Sequence, residues 1–219
     1  MRVLIIGAGG HGQVVADILM AASRHGSDDY PGGYLDHDEG LWNTAVSELR
    51  VLGSVEECAR FDHDAVIVGV GDNLTRRHLF DRLSRSLERF AVARHPSAIL
   101  SSTCSIRHGS VICAGAIVNT GASIGANVIL NTGCSVDHHN VIGDHAHVAP
   151  GARLGGDVRI GEGALVGIGA IVLPGRRVGA WSVVGAGAVV TEDIPEGVVA
   201  IGAPARALVS KSAALSGSR

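Results

Sequence analysis

Aromatic residues are scarce in this chain: two Trp, two Tyr and three Phe among 219 residues, or 3%. A core built around large rings is excluded, so the 46% hydrophobic content must be carried by aliphatic and small side chains. A large excess of either charge is missing as well: Lys and Arg number 18 and Asp and Glu 21. At a net charge of −3, with no basic stripe and no Lys/Arg patch interleaved with aromatics, the chain has no electrostatic footprint for nucleic acid. Its four cysteines, Cys58, Cys104, Cys113 and Cys134, form no CxxC pair, and they read as reduced thiols of a cytoplasmic protein. The apolar run at residues 3–6 stops at glycine, far short of a signal core or a membrane span, so a soluble chain is expected, with no membrane partner.

Glycine is plentiful, at 31 residues, and a period of six dominates the second half. From Leu100 through Ile106, Ile112, Val118 and onward to Val190, every sixth residue is Ile, Leu or Val. Six matches neither the strand period of 2 nor the helix period of 3.6, and it is the signature of a hexapeptide repeat. Four residues after each anchor the side chain is usually small, as at Ala116, Ala122, Cys134, Ala146 and Ala152, with Asn140 and Arg176 as exceptions. Glycines that directly follow an anchor, such as Gly125, Gly143, Gly155 and Gly161, are expected to supply the permissive backbone of the turns. Three hexapeptides make one triangular coil, so residues eighteen apart stack. The fold class that follows is mixed: a small α/β domain over residues 1–95, then a left-handed parallel β-helix over 96–206. The tail, 207–219, is given no function.

The first domain opens with a strand at residues 2–6, a glycine turn at 7–12 and an amphipathic helix. Further strands are expected at 33–35, 51–52, 65–68 and 90–93, with helices near 55–59 and 73–87, which together describe a small Rossmann-like parallel sheet. Gly7, Gly9 and Gly12 match GxGxxG, and Asp36 closes the second strand. Glycine there lets phosphate approach the backbone, the helix N-terminus stabilises it, and the acid can bind ribose hydroxyls. The domain is too short for two mononucleotide halves, so one nucleotide fits better than NAD. Gly10 and His11 lie within this turn, and a second turn at Gly69, Gly71 and Asn73 falls on the same carboxyl edge of the sheet.

The most polar stretch of the β-helix carries four histidines, His138, His139, His145 and His147. They contain no His-x4-His pair. The coil neighbours of His138 (Thr120, Gly156) and of His147 (Ile129, Leu165) are not metal ligands, so no metal is expected. Plain exposed turn histidines are one reading. Catalysis is the other: His138 lies two residues past the anchor Val136, at a turn, where an imidazole projects outward and can take a proton from an attacking amine or hydroxyl. Asp137 and His139 flank it, and in extended chain only one flank can face the ring. Cys134 sits inward and is expected to be inert.

The segments IIGAGGHGQVVADIL, YLDHD, VGVGDNLTRR, HPSAILSS, LNTGCSVDHHNVIGDHAHVAPGARLGG and the terminal IGAPAR together resemble the bacterial sugar acyltransferases that join a small nucleotide-sugar-binding domain to a left-handed β-helix. That resemblance implies direct acetyl transfer from acetyl-CoA, without a metal, to the amino group of a nucleotide-linked deoxysugar of the UDP-4-amino type. His138 resembles the general base, with His139 standing where relatives carry an acid, and Asn131, on the same surface, positions the acceptor. His147 is implied to contact acetyl-CoA near its thioester, and Gly156, Ile168 and Ala186 to line the pantetheine and nucleotide groove. Gly9, Gly10, His11 and Asp36 are implied to contact the nucleotide sugar. The resemblance also implies a homotrimer with active sites between subunits. A sialic-acid-type O-acetyltransferase and a non-catalytic nucleotide-binding trimer remain alternatives. No loop interrupts the ladder, so acceptor recognition falls on the first domain.

Overall fold

The computed structural model describes residues 1–208; the part of the tail from residue 209 lies outside the described residues. The N-terminal sheet contains β1 (Arg2–Ile6), β2 (Tyr30–Leu35), β3 (Ala45–Val46), β4 (Leu49–Gly53) and β5 (Ala65–Val68), in the order β3-β4-β2-β1-β5. Strand β1, paired on both sides, is apolar without alternation, since Val3, Leu4, Ile5 and Ile6 are all fully buried between α1 (Gly10–Arg24) and α2 (Asn73–Arg85). The β3–β4 pair is antiparallel and was not legible in the sequence, because its two-residue turn at Ser47 and Glu48 lacks the Asn-Gly or Asp-Gly signal; Ser47 itself takes φ 54°. The expected helix at 55–59 is a 3-10 segment, Val55–Arg60, begun by the Ser54 side chain accepting from the Glu56 N–H.

The strand expected at 90–93 divides in two. Phe90 only bridges Val66 of the first sheet, whereas Ala93–Arg94 already pairs with Val111–Ile112 as the first rung of the β-helix. The repeat therefore begins before residue 96. Among the described residues its three faces hold six, five and eight strands. In the coil that carries the histidines, Ser135–Val136 lies on the first face, Val141–Ile142 on the second and His147–Val148 on the third. Pairing runs in steps of eighteen, Ile117↔Ser135↔Arg153 and Ile129↔His147↔Leu165. The anchors from Ile112 to Val190 are at most 2% exposed, and each contributes roughly 1.5–3 kcal/mol by burial. Asn140 enters this apolar interior because its Oδ1 accepts from the Val158 N–H of the next coil at 2.6 Å.

The glycines directly after the anchors are not the turn residues. The left-handed backbone falls two positions later, three residues past each anchor, where Gly115, Gly121, Gly133 and Gly169 have φ of 64° to 68° and where Asn127, His139, His145, Asp157 and Trp181 adopt the same conformation. The glycine after an anchor is required instead by the close approach of the next coil: a Cβ on Gly143 would lie 2.6 Å from the Glu162 nitrogen and 2.8 Å from the Gly161 carbonyl carbon. At Gly169 a Cβ meets nothing within 4 Å. Gly169→Ala is therefore expected to cost about 1 kcal/mol through its φ alone, and Gly143→Ala about 3 kcal/mol through overpacking. Urea unfolding of the two variants checks the order, and a Gly169→Ala cost equal to or above that of Gly143→Ala contradicts it.

The two domains share a junction built around Arg76 of α2, which is 1% exposed. Its guanidinium donates to the carbonyls of Asn127, His145 and Ala146 in the β-helix, at 3.1, 2.6 and 3.4 Å, and to those of Val70 and Gly71 at the edge of the first sheet. Five carbonyl-facing donors without a hydrogen-bonded carboxylate fix the loop after β5 onto the β-helix, since any slip leaves a buried charge unsolvated. Alongside, Arg77 stacks over Trp181 at 5.2 Å.

Candidate active site

His138 lies in the turn between the first and second faces, and its ring is exposed. The turn is braced by Asp137, whose Oδ1 accepts from the His138 N–H at 2.8 Å and from Asn119 at 2.9 Å; these two bonds hold its carboxyl below the usual carboxylate range. The flank that reaches the ring is His139. The two Nδ1 atoms are 3.1 Å apart, with the rings inclined at 74°. One flank alone faces the ring, as expected, and it is the one whose backbone is left-handed: His139 has φ 57°, which breaks the extended alternation. One Nδ1 must hold a proton for the other to accept. When His138 is the donor, its Nε2 is a bare lone pair and can act as a base; when His139 is the donor, His138 Nε2 carries the proton and can act as an acid.

Gly156, eighteen residues on from His138, leaves room for this ring, because a Cβ there would overlap the imidazole. Asp157 follows it, stacks one coil above His139, and donates its N–H to the His138 carbonyl at 3.0 Å. One ligand-type atom from each of His138, His139 and Asp157 falls within 4.8 Å of the others. The sequence reading missed Asp157, although the eighteen-residue offset taken from His139, rather than from His138, lands on it.

A second group forms where the N-terminal domain meets the third face. Asn131 donates from Nδ2 to His147 Nε2 at 3.0 Å, while its Oδ1 accepts from the Thr132 N–H at 2.8 Å, so the amide orientation is settled. Burial, then the Arg76 charge and His11, bring the His147 pKa down to about 3, and the ring is neutral. His11 is brought down to about 4 by burial and by Arg76, and its Nε2 is buried with no partner among the described residues. The start of α1 beside it is open: Gly9 caps it without a side-chain bond, the first turn holds no acid, and a Cβ at Gly9 or Gly10 meets nothing within 4 Å. Such an end can receive phosphate. Asp36 braces the glycine turn, its two oxygens accepting from the Ala8 and Asp38 N–H groups at 2.7 and 2.9 Å. Gly71 and Asn73 line a cavity of about 210 Å³ against Leu165 and Val183. The Asn73 Nδ2 donates to the Gly163 carbonyl at 2.9 Å and fastens α2 to the β-helix.

These two groups are not brought together within one chain. The turn of His138 is the corner between the first and second faces, opposite the third face, which carries His147. Asn131 is thereby corrected: it shares the third face with His147 and not the corner of His138. Ile168, 61% exposed, and Ala186 stack at another corner, after the third face. His145 is structural, accepting or donating at 2.9 Å with Asn127 and set edge-on to Phe80. Cys134 is fully buried in the prism, where burial pushes its thiol up to about 12.

Comparison with known proteins extends the picture. Residues 2–83 match the family described as PglD N-terminal domain, and residues 157–192 match bacterial transferase hexapeptide (six repeats). The chain is 40% identical over 123 residues to UDP-N-acetylbacillosamine N-acetyltransferase of Bacillus subtilis, a match that covers 52% of this chain and 51% of the relative. The chain spans about half the length of the curated relatives it matches. Among solved structures, PerB from Caulobacter crescentus in complex with CoA and GDP-perosamine is 35% identical, with a TM-score of 0.87 over 95% of this chain and 98% of that one. The acetyltransferase domain of PglB from Neisseria gonorrhoeae, in complex with acetyl coenzyme A, is 34% identical, with a TM-score of 0.87 over 94% and 98%.

Proposed function

We propose that this chain, which belongs to the bacterial sugar acyltransferases with a PglD-type N-terminal domain and a hexapeptide β-helix, transfers acetyl from acetyl-CoA to the amino group of a nucleotide-linked deoxysugar. The observation that carries the reading is the exposed His138–His139 pair, whose Nδ1–Nδ1 contact leaves His138 Nε2 without a partner among the described residues. The sugar amine attacks the thioester carbon, and His138 Nε2 takes the amine proton. The tetrahedral intermediate then expels the CoA thiolate, which receives that proton, and an amide remains. Acetyl-CoA is the cosubstrate, and relatives hold CoA or acetyl-CoA. Bare imidazole, the open end of α1 and the neutral His11 and His147 are suited to an uncharged amine and to the phosphates of the acceptor nucleotide sugar. A UDP-4-amino sugar is the preferred acceptor in this reading.

The split between the corner of His138 and the third face supports a homotrimer. A threefold arrangement of prisms sets one copy's corner against the next copy's face, and it joins His138 of one chain to His11, Asn131 and His147 of its neighbour. Incubating the protein with acetyl-CoA and UDP-4-amino or GDP-4-amino sugars tests the reaction. Stoichiometric CoA release and a product stable to alkaline hydroxylamine are expected. A hydroxylamine-labile product shows O-acetylation instead, and no CoA release with any 4-amino nucleotide sugar overturns the proposal. His139→Asn keeps a residue that tolerates the left-handed turn while removing the imidazole; kcat is expected to fall about tenfold, with the KM for acetyl-CoA unchanged, and an unaltered kcat would separate His139 from the chemistry.

A further inference from the structure

Away from the acetyl-transfer groups, the N-terminal domain gathers a thiol, an imidazole and a carboxylate. Cys58 comes from the 3-10 segment, His63 from the loop before β5 and Glu88 from the loop after α2. Cys58 Sγ is 3.8 Å from His63 Nε2, and His63 Nε2 is 2.9 Å from Glu88 Oε2. All three are largely covered, with Cys58 4% exposed and the side chains of His63 and Glu88 at 10% and 14%. The other ring nitrogen, Nδ1, lies 2.7 Å from the Phe61 carbonyl, which can only accept, so Nδ1 carries a proton and points Nε2 at the other two groups. A backbone carbonyl that fixes the imidazole in this way is the outer-shell arrangement of metal-binding histidines.

Charge balance leads to the same place. With Nδ1 protonated, Nε2 at 2.9 Å from a carboxylate must hold a second proton, or two lone pairs would face each other. The trio then contains an imidazolium, a carboxylate and a thiol, with net charge zero. A divalent cation that displaces the Nε2 and thiol protons leaves a neutral imidazole, a thiolate and a carboxylate around two positive charges, again zero. The spacing suits zinc, for which tetrahedral bonds to S and N place those atoms about 3.6 Å apart, and the nitrogen–oxygen pair would need to open by only about 0.4 Å. A cavity of about 260 Å³ lined by Cys58, Glu88 and Ser86 adjoins the trio and gives access for an ion and for a water as fourth ligand.

We propose that Cys58, His63 and Glu88 form a zinc-type site that ties the 3-10 segment, the approach to β5 and the exit from α2 together. The site is independent of acetyl transfer, so neither proposal stands or falls with the other. Cobalt(II) is the probe, added to the chelator-stripped full chain, with zinc as competitor. One cobalt per chain is expected, with a thiolate-to-cobalt charge-transfer band that zinc removes. Cys58→Ser should abolish the band. Glu88→Gln, which keeps the shape, should weaken affinity at least about tenfold. His138→Ala, which dismantles the other trio of ligand-type groups, should leave the band intact. Absence of a thiolate band at saturating cobalt, a band that survives Cys58→Ser, or one lost in His138→Ala overturns the site.

Discussion

His138→Ala is expected to lower kcat at least about a hundredfold, the usual weight of a positioned general base, while the protein keeps its fold and its affinity for the nucleotide sugar. The ring is exposed at a corner, its backbone N–H bond to Asp137 is independent of the side chain, and Gly156 offers space that its removal merely enlarges. The loss therefore falls on the chemical step. Cys134→Ala is the control, because a thiol held at about 12 inside the prism offers no nucleophile, and its removal should leave turnover close to wild type. Steady-state kinetics on both variants decide the matter. Wild-type-like turnover in His138→Ala removes the base assigned here, and a collapse in Cys134→Ala with the fold intact points to a covalent acyl-enzyme.

Acid should weaken the protein before its carboxylates titrate. His11 and His147 are buried as neutral rings, with pKa values of about 4 and about 3 in the folded state against 6.5 for the free side chain. Between these limits the unfolded chain binds more protons than the folded one, so stability is full above pH 6.5 and falls as the pH drops through that value. By pH 4 each ring accounts for about 3 kcal/mol. Urea unfolding between pH 7 and 4.5 reads the slope above the carboxylate range. His147→Gln should remove about one proton from it, and a stability flat from pH 6.5 to 5 would show that these rings are not buried neutral.

The aliphatic ladder made the β-helix, its eighteen-residue stacking and the outward place of His138 legible in the sequence, because each depends only on period. What the period does not carry is the reason for a residue at its slot. Gly143 reads as a turn glycine, yet its constraint is the next coil's backbone, and the true turn slot admits His139 and Asp157 as readily as glycine. Arg76 and Arg77 are adjacent on α2, and nothing in the pattern says that the first is buried against carbonyls while the second stays at the surface. Asn131 and His138 lie seven residues apart and look like one surface until the corner between them is counted.

That separation is the centre of the account, and mixed trimers test it directly. Co-expressing His138→Ala with His11→Ala/Asn131→Ala, each inactive alone, should restore about one quarter of wild-type activity, since one interface in four joins an intact corner to an intact third face. Mixtures that remain inactive, although mixed trimers form, would place the whole site within a single chain.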